Sequence, residues 1–161
     1  LGKSLPQRDL NALRGVEGRR VKQVYRQLSE QYGVAWNGRR YDRSDPESAD
    51  TINKAINHAS TAVYAAADVA VASVGAIPQL GFIHESSGHA FALDIADLFR
   101  SSFTLPAAFQ AAKQCQKRDD YDVESRTRRL AGEKLRKEKV IPEMIDKIKR
   151  VLDVDDDSSD A

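Results

Sequence analysis

What the sequence has little of narrows its class before any motif is read. It has one cysteine, Cys115, so no internal disulfide can form, which favours a reducing, cytoplasmic setting. It has no apolar run near the ~20 residues a spanning helix requires. The longest uncharged stretch near its apolar centre, Val69 to Ile83, is broken by Pro78. No basic segment followed by an apolar one opens the chain, so no secretory leader is expected. There is no Walker loop, dinucleotide fingerprint, Cys-x-x-Cys pair or serine-nucleophile motif, and no internal repeat. Neither sign of charge prevails: 25 basic and 24 acidic side chains leave a net of +1, which taken whole argues against a polyanionic partner. What remains is 161 residues, 41% hydrophobic and 30% charged, enough for one ordinary domain with a core.

The near-neutrality is an average over unlike parts. Residues 153–161 hold five Asp and no base; without them the body has 25 basic against 19 acidic residues, a net of +6. Residues 14–43 carry eight Arg/Lys against three acids, residues 44–99 seven acids against Lys54 alone, and residues 117–150 twelve bases against eight acids. Basic arms around an acid-rich middle suit a metal site within a polyanion-binding surface. A set of solvated helix faces gives the same statistics.

The apolar spacing predicts an all-α fold. A first helix runs from a capping box at Ser4 and Gln7, with Pro6 in its first turn, to about Tyr32. Residues 33–50 read as a loop. From Thr51, the positions Ile52, Ala55, Ile56, Ala59, Val63, Ala66, Ala67, Ala70, Val71 and Val74 keep helical spacing until Gly75, and their alanines suggest a close-packed central helix. Residues 76–91 read as extended and turn-like. Short helices are expected at Leu93–Arg100 and from a Thr104 cap to about Cys115, a basic one at about 123–139, and a last one opened by Pro142.

Several residues are candidates for chemistry. Glu17 lies in a predicted helix between Gly15 and Gly18, which points to a close approach of backbone or ligand; a surface pair with Arg14 or Arg20 is the alternative. Asp94 and Asp97, three residues apart, would project from one helical face and need a cation or base between them, unless Asp94 serves the helix dipole and Asp97 pairs with Arg100. His84 ends the apolar run GFIH, with His89 a competing ligand and His58 a structural histidine. Oxygen ligands suit Mg²⁺ or Mn²⁺, and an added imidazole favours Mn²⁺ or a tolerant site. Tyr32, Trp36, Tyr41 and Tyr64 with Arg39, Arg40 and Arg43 could stack bases and hold phosphates, or Trp36 could anchor the core. The bases Arg126, Arg128, Arg129, Lys134, Arg136, Lys137 and Lys139 would track a phosphate backbone or form an ordinary exposed helix.

The strings LRGVEGRRVKQVY, QYGVAWNGRRYD, DTINKAINHASTAVY, GFIH and FALDIADLFR resemble the catalytic half of the CRISPR-associated integrase family, the DNA-joining subunit of the spacer-acquisition complex, in its type I-E-like branch. The resemblance covers about residues 8–152. It implies a helical catalytic domain at 1–152, an acidic tail at 153–161, and a family N-terminal β-rich domain that is not in this chain. It implies a divalent metal, Mg²⁺ or Mn²⁺, held by Glu17, His84 and Asp97, with Asp94 a further catalytic acid, as ligand or as partner to a ligand. DNA contacts would fall to Arg39, Arg40, Tyr41, Tyr64 and Arg100. The implied activity is metal-dependent endonuclease and integrase chemistry in a prokaryotic cytoplasm, joining captured DNA (the protospacer) to CRISPR repeat ends. The implied partners are DNA, a second copy forming a homodimer and a small ferredoxin-like subunit, with no membrane. An inactive DNA-binding or assembly fragment is the alternative.

Overall fold

The structure, a computed structural model, describes residues 10–40, 42, 44–84, 86–118 and 121–152, with the side chains of residues 10–17 and 46 excluded. Its elements are α1 (Leu10–Tyr32), a 3-10 turn at Pro46–Ser48, α2 (Thr51–Ser73), α3 (Ala90–Leu98), a π-helical segment (Arg100–Thr104), α4 (Leu105–Lys117), α5 (Val123–Lys137) and α6 (Val140–Val151). Among the described residues there is no strand, so the all-α expectation holds. No helix among them is long and apolar enough to cross a membrane.

Helix α2 is the axis of the fold and packs against α3, α4, α5 and α6. It starts where the Asp50 carboxylate accepts a hydrogen bond from the Asn53 N–H at 2.9 Å, a side-chain cap for an otherwise unpaired donor. It ends at Gly75, whose φ of +69° turns the chain left-handed at little cost. Its buried stripe contains Ala55, Ala59, Ala66, Ala67 and Ala70, and these small side chains let several helices approach one axis. Two apolar clusters result. One joins the C-terminal half of α2 to α3, the π segment and α6 through Val63, Phe91, Ile95, Phe103, Met144 and Ile148. The other joins its N-terminal half to α1 and α4 through Tyr25, Leu28, Ile56 and Phe109. Trp36 belongs to the second: it stacks on Tyr25 at 4.1 Å between ring centroids and lies 6.0 Å from Phe109, which makes it a core anchor.

Three helix boundaries differ from expectation. Thr104 does not cap α4, because the π segment runs straight into that helix and the Leu105 N–H already bonds to the Arg100 carbonyl. The last helix opens at Val140, after Lys139 adopts a left-handed conformation at φ +52°. Pro142 sits inside its first turn, where a missing N–H costs nothing. Helix α3 starts at Ala90 rather than Leu93, since the Phe91 N–H reaches back to the Pro78 carbonyl at 2.8 Å and Ala90, Phe91 and Ala92 are all buried. The expected start of α1 at Ser4–Gln7 lies outside the described residues, as does the acidic tail at 153–161.

Candidate metal centre

The site is built on a loop that folds back over the start of α3. Gly81 makes the fold possible: a Cβ there would lie 2.3 Å from the His84 carbonyl oxygen and 2.7 Å from the Ala90 Cβ, closer than any side chain tolerates. With the chain held that close, three successive N–H groups turn toward Asp94. Ile83 N–H donates to its Oδ2 at 3.0 Å, His84 N–H donates to Oδ1 at 3.2 Å, and Phe82 N–H also donates to Oδ2. His84 Nδ1 lies 2.6 Å from Asp94 Oδ1. The Asp94 side chain is 7% exposed and that of His84 37%.

Burial alone would raise the Asp94 carboxyl, yet the His84 ring and the three backbone donors together hold it below the usual carboxylate range. An ionised carboxylate only accepts, so His84 Nδ1 carries the proton between them, and in the neutral ring Nε2 then bears the lone pair. Metal-ligating histidines commonly donate their other ring N–H to a carboxylate in this way. Spacing suggested that Asp94 and Asp97 share one face. Both lie on α3 at that spacing but in different surroundings: both oxygens of Asp94 are engaged, while Asp97, one turn on, is 38% exposed and meets Arg100 at 3.7 Å.

Tyr64 links Asp97 electrostatically to the arginines. Burial raises the phenol of half-buried Tyr64 above its ordinary range; the charge of Asp97 adds to the rise, and Arg100 and Arg39 oppose it. Tyr64 of α2 therefore lies within the electrostatic reach of all three. Arg39 is held on α2 by Asn53 Oδ1, 2.9 Å from its Nη1, and by Asn57 Oδ1, which accepts from Nη2. The fully buried Asn53 also accepts from the Arg40 N–H at 3.1 Å and donates to the Gly38 carbonyl at 3.1 Å and Asp50 at 2.9 Å. Sequence reading missed Asn53 as the clamp of the 38–40 loop, although a polar residue inside the apolar stripe of α2 was its signal. Arg100 opens the π segment, a geometry frequent at functional sites.

Other candidates go elsewhere. His89 Nδ1 meets Asp68 of α2 at 2.9 Å, with both side chains in solvent. On α5, Arg128 pairs with Glu124 at 2.8 Å, Arg129 with Glu133 at 3.0 Å and Lys134 with Glu138 at 2.9 Å, while Arg126 bonds to Gln114 and stacks over Tyr121. On α1, Arg19, Lys22 and Arg26 line an open groove of about 460 Å³ with Gln23 and Gln27, without an ion-pair partner among the described residues. Glu17 lies in α1, but its side chain is outside the described residues, as is Tyr41. Among the described residues, no three His, Cys, Asp or Glu side chains come together closely enough to hold a metal ion.

Residues 2–143 match the family described as CRISPR associated protein Cas1. Over 145 residues, 90% of the chain, the sequence is 37% identical to the CRISPR-associated endonuclease Cas1 of Escherichia coli (strain K12), covering 46% of that relative. It is 40% identical over 117 residues to the protein of the same name from Clostridium sp. (strain SY8519), covering 73% of this chain and 39% of the relative. The fold matches the crystal structure of a TtCas1–DNA complex with a TM-score of 0.80 at 34% identity, over 93% of this chain and 54% of that one. The chain thus spans under half the length of these two curated relatives. A helical fold shared with a solved Cas1 and a family match across nearly the whole sequence agree: the chain belongs to the CRISPR-associated Cas1 family.

Proposed function

We propose that this chain supplies the catalytic half of a metal-dependent DNA endonuclease and integrase, which joins the 3′-OH of captured foreign DNA to CRISPR repeat ends by transesterification. The observation that carries this reading is His84, tied through Nδ1 to the buried Asp94, with the half-exposed Asp97 one turn further along the same helix. Its relatives are named CRISPR-associated endonucleases, and one solved neighbour is a complex with DNA. The donor chemistry fits Mg²⁺ or Mn²⁺: an imidazole oriented by an outer carboxylate, and an aspartate open to solvent.

Glu17, His84 and Asp97 are the proposed ligands. They would hold a divalent ion that would supply positive charge to the scissile phosphate and the leaving oxygen. Asp94 keeps the imidazole in one orientation and one tautomer. Arg39, fixed to α2 by Asn53 and Asn57, offers its guanidinium to phosphate oxygens together with Arg40 and Arg100. Tyr41 and Tyr64 bracket the splayed end of the incoming DNA. The incoming 3′-OH attacks the repeat phosphate in line as the bond to the leaving 3′-oxygen breaks. Water in its place gives hydrolysis, so one site serves joining and cutting. The proposed assembly contains two copies of the chain and a small ferredoxin-like subunit, in a prokaryotic cytoplasm.

The test is cleavage and joining of branched DNA with Mn²⁺ and with chelator, using the chain alone and the chain fused behind the N-terminal half of the E. coli relative. Glu17→Ala and Asp97→Ala are expected to lower metal-dependent joining by ~100-fold or more. Near wild-type joining by either variant overturns the site. DNA binding without metal-dependent chemistry in both forms would instead identify a binding or assembly module.

A further inference from the structure

The loop that holds His84 also presents two large apolar side chains to water. Phe82 is 63% exposed and Ile83 81% exposed, although the backbone of both is fixed by hydrogen bonds to Asp94. Only their N–H groups serve that arrangement, and any residue except proline would supply them. The Phe82 ring touches the core edge-on, 5.8 Å from Phe91 between centroids; Ile83 stands clear. The fold thus explains the backbone at 82 and 83 but not the apolar side chains, which stand on a hydrogen-bonded backbone next to His84 in the chain.

We infer that Phe82 and Ile83 form an apolar platform for the deoxyribose and base of the nucleotide flanking the reacting phosphate, and so position the DNA strand at His84. The inference rests on the functional reading above. Ile83 adjoins His84 in the chain, so a strand whose phosphate lies at His84 and Asp97 brings its neighbouring sugar and base to the platform. Arg100 pairs with Asp97 at 3.7 Å and suits a phosphate, while a nucleotide's uncharged faces need apolar or aromatic contact. Proteins that unstack bases insert side chains of this kind, Phe and Ile among them. Phe82 and Ile83 are thus positioning residues, separate from the proposed metal ligands.

The test is binding of branched DNA carrying 2-aminopurine next to the junction phosphate, in chelator so that no catalysis occurs, with Mn²⁺ affinity measured in parallel. Ile83→Ser is expected to weaken binding ~10-fold and to remove the fluorescence change at the flanking base, leaving Mn²⁺ affinity and thermal midpoint as in the wild type. Ile83→Leu should restore both DNA readouts, which separates apolar contact from loop structure; Phe82→Ser should act in the same direction. Wild-type binding and fluorescence in Ile83→Ser overturn the inference and leave the functional reading standing. So does loss of self-association in Ile83→Ser with DNA binding intact, since a second copy would then be what covers the patch. A wild-type chain that does not bind branched DNA overturns both.

Discussion

Two positions of helix α3, three residues apart, carry the same functional group in opposite settings. Asp94 is buried, receives three backbone N–H groups and the His84 imidazole, and has its carboxyl held below the usual range. Asp97 is 38% exposed and, among the described residues, has its ion pair with Arg100 at 3.7 Å. Three residues turn a helix by about 300° rather than a full circle. That offset is enough for the loop at 81–84 to cover one carboxylate and leave the other in water. A carboxylate already saturated with donors has little left for a cation; one at the edge can give both oxygens. In the proposed metal centre Asp94 would orient the imidazole and Asp97 would ligate, so neither residue could replace the other.

The strongest way to break this comparison is Asp94→Ala. It strands four donors beneath the loop and is expected to cost about 3–5 kcal/mol, read as a lower denaturation midpoint, with activity falling alongside. Asp97→Ala should do the reverse, abolishing joining while stability changes by about 0.5 kcal/mol or less. If the two variants lose stability equally, the division of roles is wrong. Gly81→Ala comes next: its Cβ would collide with the His84 carbonyl and Ala90, so about 1–3 kcal/mol should be lost and Mn²⁺ affinity should fall although no ligand has changed. The smallest effect belongs to a region remote from the site. Asp122 caps α5 by accepting the Ser125 N–H at 2.7 Å, a bond that holds its carboxyl below the usual value. Its stabilisation is complete above about pH 4 and fades as the pH falls through the folded value, so Asp122→Ala should flatten the acid limb of the stability profile slightly.

The body of the fold was legible because α2 repeats its apolar positions at helical spacing over six turns, and because Gly75 is a strong end signal. Ends set by non-local contact were not legible. The π segment removed the need for a cap at Thr104, and contact with Pro78 drew α3 back to Ala90. The site divides in the same way. His84, Asp94 and Asp97 stood out by residue type and motif, but no spacing rule joins His84 to Asp94 across ten residues. That contact depends on a turn only Gly81 can make. Spacing also could not tell Asp94 from Asp97, since what separates them is the loop lying over one. The charge runs misled in proportion to their acids: α5 neutralises much of its own basic character through pairs four residues apart, whereas Arg19, Lys22 and Arg26 of α1 face an open groove.

The central proposal is that His84, hydrogen-bonded to Asp94, and Asp97 hold a divalent cation together with Glu17. Anomalous diffraction from crystals soaked in Mn²⁺ tests it directly. The account predicts a single strong peak bound to His84 Nε2 and the carboxylates of Asp97 and Glu17, with Asp94 outside the coordination shell. No peak there at saturating Mn²⁺, or a peak seated on Asp94 or on the His89–Asp68 pair instead, would contradict it.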